Sequence, residues 1–485
     1  MFFDELQTHH TSPCARCRIQ PARLKEYDEV TAPMPINRRY VAFLASTAAL
    51  GGLLFGFDIA IITGAGPFIT KAFALGDIGL GWAFSSLIFG CVLGCFIAGR
   101  LTDRYGRKKL LVVVAFLFAV TSIATALAPG FALFVTARFL GGIAVGAVSL
   151  LSPMYAAEVS PPAIRGRMGT MYQLSIVIGI IVSYSINYLL RNTGPNNWRW
   201  MFLTGVVPSA VFLLFIALAP ETPRFLAMNG KLQTAFLLLE RIGGTESARA
   251  QIAEITSTMH KQTQSWRKLL RPGVKRALLV SAALAVFIQA SGINTVVDYA
   301  PKIFQSAGWT VDAALASTFV VGVTEFLFTL VSFWVIDRYG RKPLYIVGSA
   351  GMALSLLALM VTALAGHFHG ALVLALILTY IAFFCACIGP VFWTLVPEIF
   401  SNDVRGMAMI VPVLIQWVAN ALVVLAFPYA FHIVGKASTF GFLAIMALGQ
   451  GLVTWFYVPE TRNKSLEEME DHWTPVKRPV SIEPV

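Results

Sequence analysis

The feature that most constrains this chain is that it is written twice. Asp103-Arg104-Tyr105-Gly106-Arg107-Lys108 recurs as Asp337-Arg338-Tyr339-Gly340-Arg341-Lys342, each copy set between two long apolar runs. Glu158 followed by Arg165-Gly166 is answered by Glu398 followed by Arg405-Gly406, and Pro220-Glu221-Thr222 by Pro459-Glu460-Thr461. The three pairs are offset by 234 to 240 residues, so the chain is a tandem duplication of a unit about half its length. One such echo could arise by chance; three in the same order could not. Whatever fold one copy adopts, the other must adopt as well.

Each copy is made of apolar material. The 485 residues are 57% hydrophobic and 13% charged, against roughly 45–50% and 25% in ordinary soluble domains. A chain this long could hold several soluble domains, but its apolar residues fall into twelve blocks near membrane-spanning length. A hydrocarbon core about 30 Å thick needs roughly 20 helical residues at 1.5 Å each. The blocks predict spans at 40–66, 79–101, 109–128, 131–157, 169–190, 199–219, 276–300, 312–336, 343–365, 371–396, 406–431 and 438–458. Lipid satisfies no backbone group, and these blocks lack the alternation of barrel strands, so helices are the remaining choice. The expected fold is an all-α membrane protein with twelve transmembrane helices in two six-helix bundles. Its expected divisions are a cytoplasmic N-terminal segment (1–39), a first bundle (40–219), cytoplasmic linker helices (220–275), a second bundle (276–458) and a cytoplasmic tail (459–485). Duplicated bundles joined by charged turns are the plan of alternating-access transporters.

Basic residues give the orientation. With both termini inside, the short inner loops carry Arg100, Arg104, Arg107, Lys108, Lys109, Arg165, Arg167, Arg338, Arg341 and Lys342, while the outer connections carry only Lys71, Arg191, Arg199, Lys302 and Lys436. The formal charge of +12 is therefore a topology signal. It is scattered over separate turns rather than gathered on one face, which argues against nucleic acid as a partner. A bacterial inner membrane, crossed many times by a monomer, is the expected setting.

The flanks are less informative. The first 38 residues have no apolar core and are not a cleaved signal peptide. Cys14-x-x-Cys17 stands there without a second pair or histidine spacing, which is weak support for metal or redox chemistry. Met34, just before the first span, is a possible alternative start. Cys91, Cys95, Cys385 and Cys387 lie in spans, where free cysteine behaves as a small hydrophobe. The linker reads as short amphipathic helices, through Leu232, Phe236 and Leu237, then Ile252, Ile255 and Met259. The acidic tail around Glu467 holds the sequon Asn463-Lys464-Ser465, expected to be silent on an inner segment. His367 and His369 share an outer loop, where solvent exposure is expected rather than metal binding. No metal site and no cofactor are expected.

Ionisable groups within a span cost about 2.5–3.5 kcal/mol each on insertion scales, so Asp58, Arg138, Asp298 and Glu325 each need a reason. Asp58 lies eight residues before the outer end of the first span and Arg138 seven after the outer start of the fourth. Both then sit roughly 10–12 Å below the outer surface and can meet. Such a pair is either a permanent structural ion pair or a proton-operated switch. The glycine-rich run Gly51-Gly52-Leu53-Leu54-Phe55-Gly56-Phe57 leading into Asp58 favours the switch, because it suits close packing around a cavity.

The repeated turns suggest a conformational lock. A tight Tyr-Gly turn lets Arg107 and Arg341 reach back to acids such as Glu158 and Glu398, and pairs of this kind can hold two halves together and part when they move. The candidate set is Asp103, Arg104, Arg107, Glu158 and Arg165 with their counterparts Asp337, Arg338, Arg341, Glu398 and Arg405. Plain positive-inside anchoring is the alternative.

Taken together, Gly-Arg-x-x-Asp-Arg-Tyr-Gly-Arg-Lys at 99–108, Gln173-Leu174-Ser175-Ile176-Val177-Ile178-Gly179, Pro220-Glu221-Thr222-Pro223-Arg224-Phe225-Leu226 and Pro459-Glu460-Thr461-Arg462 resemble the sugar porter family of the major facilitator superfamily. The likeness covers about residues 40–470 and implies the major facilitator fold, with two bundles rocking about a central sugar site. Bacterial sugar–proton symporters of this family carry an aspartate at the place of Asp58 and an arginine at that of Arg138, where animal facilitative glucose carriers have a neutral residue at the first. The resemblance implies that Gln173 on span five, with Ile180 beyond it, Gln289 and Asn294 on span seven, Trp393 on span ten and Gln416, Trp417 and Asn420 on span eleven contact the sugar. Amides that both donate and accept, and an indole that packs on a pyranose face, suit a polyhydroxylated ligand. Three departures bear on selectivity: Ile288 replaces the first of two usual glutamines, Asp298 the first of two tyrosines, and Glu325 a usual asparagine. The two acids are either absorbed by helix packing, or reshape substrate choice, or add a proton site.

The expected function is symport of a monosaccharide or related polyol with a proton, with no reaction chemistry and so no enzyme. A uniporter is the rival within transport. A sugar sensor would need a longer signalling tail, and a membrane enzyme a catalytic constellation that the sequence does not offer.

Overall fold

The computed structural model describes residues 37–160, 165–261, 269–400 and 404–462. The segment holding Cys14, Cys17 and Met34, and the tail from Asn463 onward, lie outside the described residues, as do the side chains of Arg165, Asp337 and Arg405. Among the described residues, twelve helices are long and apolar enough to cross a membrane. They are α1 (Arg39–Ala72), α2 (Asp77–Tyr105), α3 (Arg107–Ala126), α4 (Phe131–Glu158), α5 (Met168–Leu190), α6 (Asn197–Leu218), α7 (Gly273–Asp298), α8 (Val311–Ile336), α9 (Arg341–Leu364), α10 (Gly370–Glu398), α11 (Ile410–Val434) and α12 (Lys436–Tyr457). All twelve expected blocks are present. Large apolar side chains such as Phe116, Leu214, Leu218, Leu354 and Phe442 point outward and stay exposed, the arrangement that suits lipid as solvent.

The duplication in sequence is a duplication in space. α1 packs along α5 as α7 packs along α11, and α3 along α6 as α9 along α12. The halves meet where α2 runs against α11 and α5 against α8. Those are the second and fifth helices of each half, so the two seams are images of one another. This is the major facilitator plan.

Three features of the chain shape the middle. Span seven was expected as one helix, but α7 breaks at Ser291-Gly292, where Gly292 takes φ +87. An L side chain is disfavoured there, and the freed carbonyl of Ser291 accepts from the Tyr380 hydroxyl at 2.9 Å. α10 widens into a π turn at Phe384–Ile388, just before Pro390, whose missing N–H cannot keep the α ladder. α11 ends in a second π turn, Ala430–Val434, after Pro428. Between the halves, helices Pro223–Met228, Leu232–Gly243 and Thr245–Lys261 close on a small core of Ala227, Ala235, Leu239, Ala248 and Ile252. This linker is docked as well: the Arg241 guanidinium lies 4.1 Å from the Tyr40 ring centre.

Candidate functional site

Asp58 and Arg138 are brought together. Arg138 Nη1 donates to Asp58 Oδ1 at 3.1 Å and Nη2 to the Asp58 carbonyl oxygen at 3.2 Å. Arg138 is 2% exposed at its side chain and Asp58 13%; the guanidinium also lies 5.3 Å from the Phe202 ring centre. Away from water each charge depends on the other, and losing one partner of such a pair typically costs about 3–5 kcal/mol. The pair belongs wholly to the first half, between α1 and α4.

The break in α7 arranges the amides. Asn294 Nδ2 donates to Gln289 Oε1 at 2.9 Å across it, which leaves the Gln289 amide nitrogen and the Asn294 oxygen for other partners. Asn420 is buried, and Gln416 Oε1 is a buried acceptor without a hydrogen-bond partner among the described residues. Gln173 and Ile180 are half-buried on α5. Trp393 follows the π turn of α10 and is 47% exposed, its ring edge-on to Phe392. Trp417 crosses the seam, edge-on to Phe55 of the first half at 6.2 Å between ring centres.

Ile288 is buried in the apolar core. Asp298 and Glu325 are buried too, and neither makes a hydrogen bond or ion pair among the described residues. Asp298 follows Asn294 by four residues, on the same helix face. Its carboxyl lies within electrostatic range of Arg138 in the other half and of Glu325. Tyr184 of α5 senses both acids, and Cys385 in the π turn senses Glu325. The two acidic departures from the family pattern, Asp298 and Glu325, therefore lie close to one another beside the seam.

The repeated turns form a clasp in each half, and the sequence reasoning missed its centre. Gly106 has φ +89, and Glu221 Oε1 accepts from the main-chain N–H of Arg107, Lys108 and Thr222 at 2.9–3.1 Å. Glu460 repeats this against Gly340, also at φ +89, accepting from Arg341, Lys342, Thr461 and Arg462. A carboxylate at a helix N-terminus satisfies orphan donors and meets the positive end of the helix dipole. Arg107 pairs with Glu158 at 3.1 Å and Asp103 at 3.3 Å, and Arg341 with Glu398 at 3.1 Å. The expected arginine–glutamate pairs form, but each joins helices of one half, so in this state they staple the bundles separately instead of locking them together. Arg104 and Arg338 are exposed and stack on Tyr105 and on Trp334 and Tyr339 rather than forming ion pairs.

Contacts that do cross between halves lie at the opposite face. Asp77 meets Lys302 at 3.1 Å and His432 at 2.6 Å, and Arg191 meets Asp312 at 2.8 Å. Beneath them Tyr299 stacks between Phe84, at 4.4 Å between centres, and Phe427, at 5.2 Å. α2 approaches α11 so closely that a Cβ on Gly81 would lie 2.3 Å from the Leu425 carbonyl oxygen. Nothing in the sequence marks these partners, which depend on the register between halves. The cysteines in the spans are free and buried, and His367 and His369 are exposed.

Comparison with known proteins agrees with this fold. A family model described as "Sugar (and other) transporter" matches residues 44–473. An arabinose-proton symporter of Bacillus subtilis (strain 168) is 36% identical over 451 residues, covering 91% of this chain and 97% of that protein. The inward open conformation of the xylose transporter XylE from E. coli superposes with a TM-score of 0.80 at 31% identity, over 89% of this chain and 100% of that one. The proton:xylose symporter XylE bound to 6-bromo-6-deoxy-D-glucose gives 0.77 at 33% identity, over 90% and 100%.

Proposed function

The chain belongs to the sugar transporter family, and on that footing we propose that it carries a monosaccharide or related polyol together with a proton by alternating access. The observation that carries the reading is the buried ion pair of Asp58 and Arg138. A carboxylate gripped by arginine in a water-poor site has two stable conditions, ionised and paired or protonated and released. Helix α1 can pass between them as the two halves rock. A uniporter has no use for such a group.

We take the face of the Arg-rich turns as the cytoplasmic one by the charge rule, and propose a bacterial inner-membrane protein that works as a monomer in lipid and is captured here in an inward-facing state. The far-face contacts of Asp77 and Arg191 are then its closed outer gate. The similarity to an inward open relative supports that assignment. Gln173, Ile180, Gln289, Asn294, Trp393, Gln416, Trp417 and Asn420 are proposed to hold the sugar, Asn294 and Gln289 meeting hydroxyls with the groups their mutual bond leaves open. Ile288, Asp298 and Glu325 are proposed to set which sugar is taken. In the opposite, outward-facing state the turn arginines are proposed to reach across the inner face as a lock. No bond is made or broken in the substrate, so no enzymatic role is assigned.

Purified protein in liposomes tests this directly. Labelled arabinose and xylose should accumulate when the outside is made acidic, and accumulation should collapse with a protonophore. Uptake that only equilibrates, with or without the pH gradient, would overturn coupling.

A further inference from the structure

Arg138 engages Oδ1 of Asp58 and leaves Oδ2 facing elsewhere. A Cβ on Gly141 would lie 3.8 Å from that Oδ2 and 3.3 Å from Thr121 Oγ1, so both oxygens border the space left by the missing side chain. The space belongs to a narrow crevice whose walls include Thr121, Ser122, Thr125, Gly141 and Phe202. Every lining residue comes from α1, α3, α4 or α6, and none from the second half. Thr121 and Thr125 stand in the last two turns of α3, which ends at Ala126 on the far face. There Arg199 donates to the Ala126 carbonyl oxygen at 2.6 Å.

The chemistry of the walls suits water. Thr121 donates to Leu117 O at 2.8 Å and Thr125 to Thr121 O at 2.7 Å. Both hydroxyl hydrogens are thus spent on the helix, which leaves lone pairs toward the crevice. Arg138 Nε is buried and has no hydrogen-bond partner among the described residues. The charged group that faces Asp58 is Arg138 from α4, with the Cys91 thiol of α2 near both and Asp298 of α7 on the arginine's other side.

We propose that this hydroxyl-lined crevice is the proton's own entrance, delivering hydronium to Asp58 Oδ2 through the first half while the sugar moves between the halves. In the step, hydronium gives its proton to the carboxylate, leaving a neutral acid and a water molecule, and the ion pair with Arg138 is released. The crevice is too narrow for a water molecule in this state, as an outer approach must be when the carrier faces inward; open to both sides, Asp58 would leak protons. Sugar occupancy then does not obstruct protonation. The proposal rests on the reading of Asp58 as proton carrier.

The test uses the full chain in liposomes, with Gly141→Ala, the pair Thr121→Val and Thr125→Val, the conservative Thr121→Ser, and Asp58→Asn alongside. Uptake of labelled arabinose or xylose driven by external acid is compared with sugar exchange at equal pH, which needs no protonation step. We expect acid-driven uptake to fall tenfold or more in Gly141→Ala and in the valine pair, exchange to stay within twofold of the parent, and Thr121→Ser to retain the parent rate. Acid-driven uptake within twofold of the parent in both would overturn the entrance, and so would exchange falling in proportion, which marks mere packing. If Gly141→Ala does not fold, the valine pair decides alone. Concentrative uptake by Asp58→Asn would instead sink the carrier reading itself.

Discussion

Arg138 holds Asp58 by two different handles: Nη1 takes the carboxylate at 3.1 Å and Nη2 the main-chain carbonyl of the same residue at 3.2 Å. Protonation cancels only the first. The arginine keeps its hold on the backbone of α1 while the side chain is freed, so the switch loosens a helix without casting it off. A lysine ammonium, a point charge without the planar fork, cannot divide its contacts in this way.

Asp58→Asn should therefore abolish uphill accumulation and leave sugar exchange running. A membrane potential offers about 2.3 kcal/mol per charge per 100 mV, which a side chain that cannot protonate has no means to collect. Arg138→Lys should lose most concentrative uptake as well. Counterflow and acid-driven uptake, measured side by side, check both.

Gln289→Ala, Gln173→Ala and Trp393→Ala should weaken sugar binding while the protein stays folded. Each lost hydrogen bond in a dry site typically costs about 1–3 kcal/mol, or roughly fivefold to over a hundredfold in affinity. Calorimetric titration of purified variants is the measurement. Parent-like affinity in all three would remove them from the site.

Glu325→Gln, which replaces the acid by an amide, and Asp298→Tyr move the site toward the usual family pattern, and should shift preference toward common hexoses or pentoses. Competition among a panel of labelled sugars reads this out. A change confined to the pH profile assigns the acids to coupling. No change in the double variant assigns them to packing.

Glu221→Ala removes one acceptor from three main-chain donors, and should destabilise the first half by about 1–2 kcal/mol, the scale of a lost helix cap. Glu221→Gln, which keeps an acceptor oxygen, should lie between. Melting in detergent decides; a parent-like midpoint for the alanine variant would leave the clasp without energetic weight.

Asp77→Asn should favour the outward-open state, because it weakens contacts with Lys302 and His432 together. Partly exposed pairs contribute about 0.2–1 kcal/mol, so the shift is up to about fivefold. Labelling of a single cysteine at Phe84, beneath the gate, should accelerate accordingly.

Much of this architecture is legible because lipid is a severe solvent: it demands near-uniform apolar blocks, and twelve of them can be counted. Asp58 and Arg138 were legible for the same reason, as charges where charge is costly. The break in α7 was not, since Ser291-Gly292 is tolerated inside a continuous helix and the neighbours of the break, Leu443 and Tyr380, come from distant spans. Glu221 and Glu460 were visible as a repeat but not as a function, because their partners are main-chain N–H groups, which every residue but proline has. The pairings of Arg107 and Arg341 were readable as chemistry but not as geometry: sequence shows that an arginine and a glutamate can meet, not which pair of helices they join.

The two clasps have a consequence for how the molecule can be cut. Glu221 lies just past the last helix of the first half and Glu460 just past the last helix of the second, so each bundle finishes by tucking a carboxylate under its own third helix. A half-protein ending beyond its clasp has its helix ends already satisfied and its seam helices, α2 and α5 or α8 and α11, ready for a partner. Severed within the linker after Lys261, the two pieces should reassociate when made together in one cell; severed before Pro220, the first should arrive with α3 unsealed and be degraded.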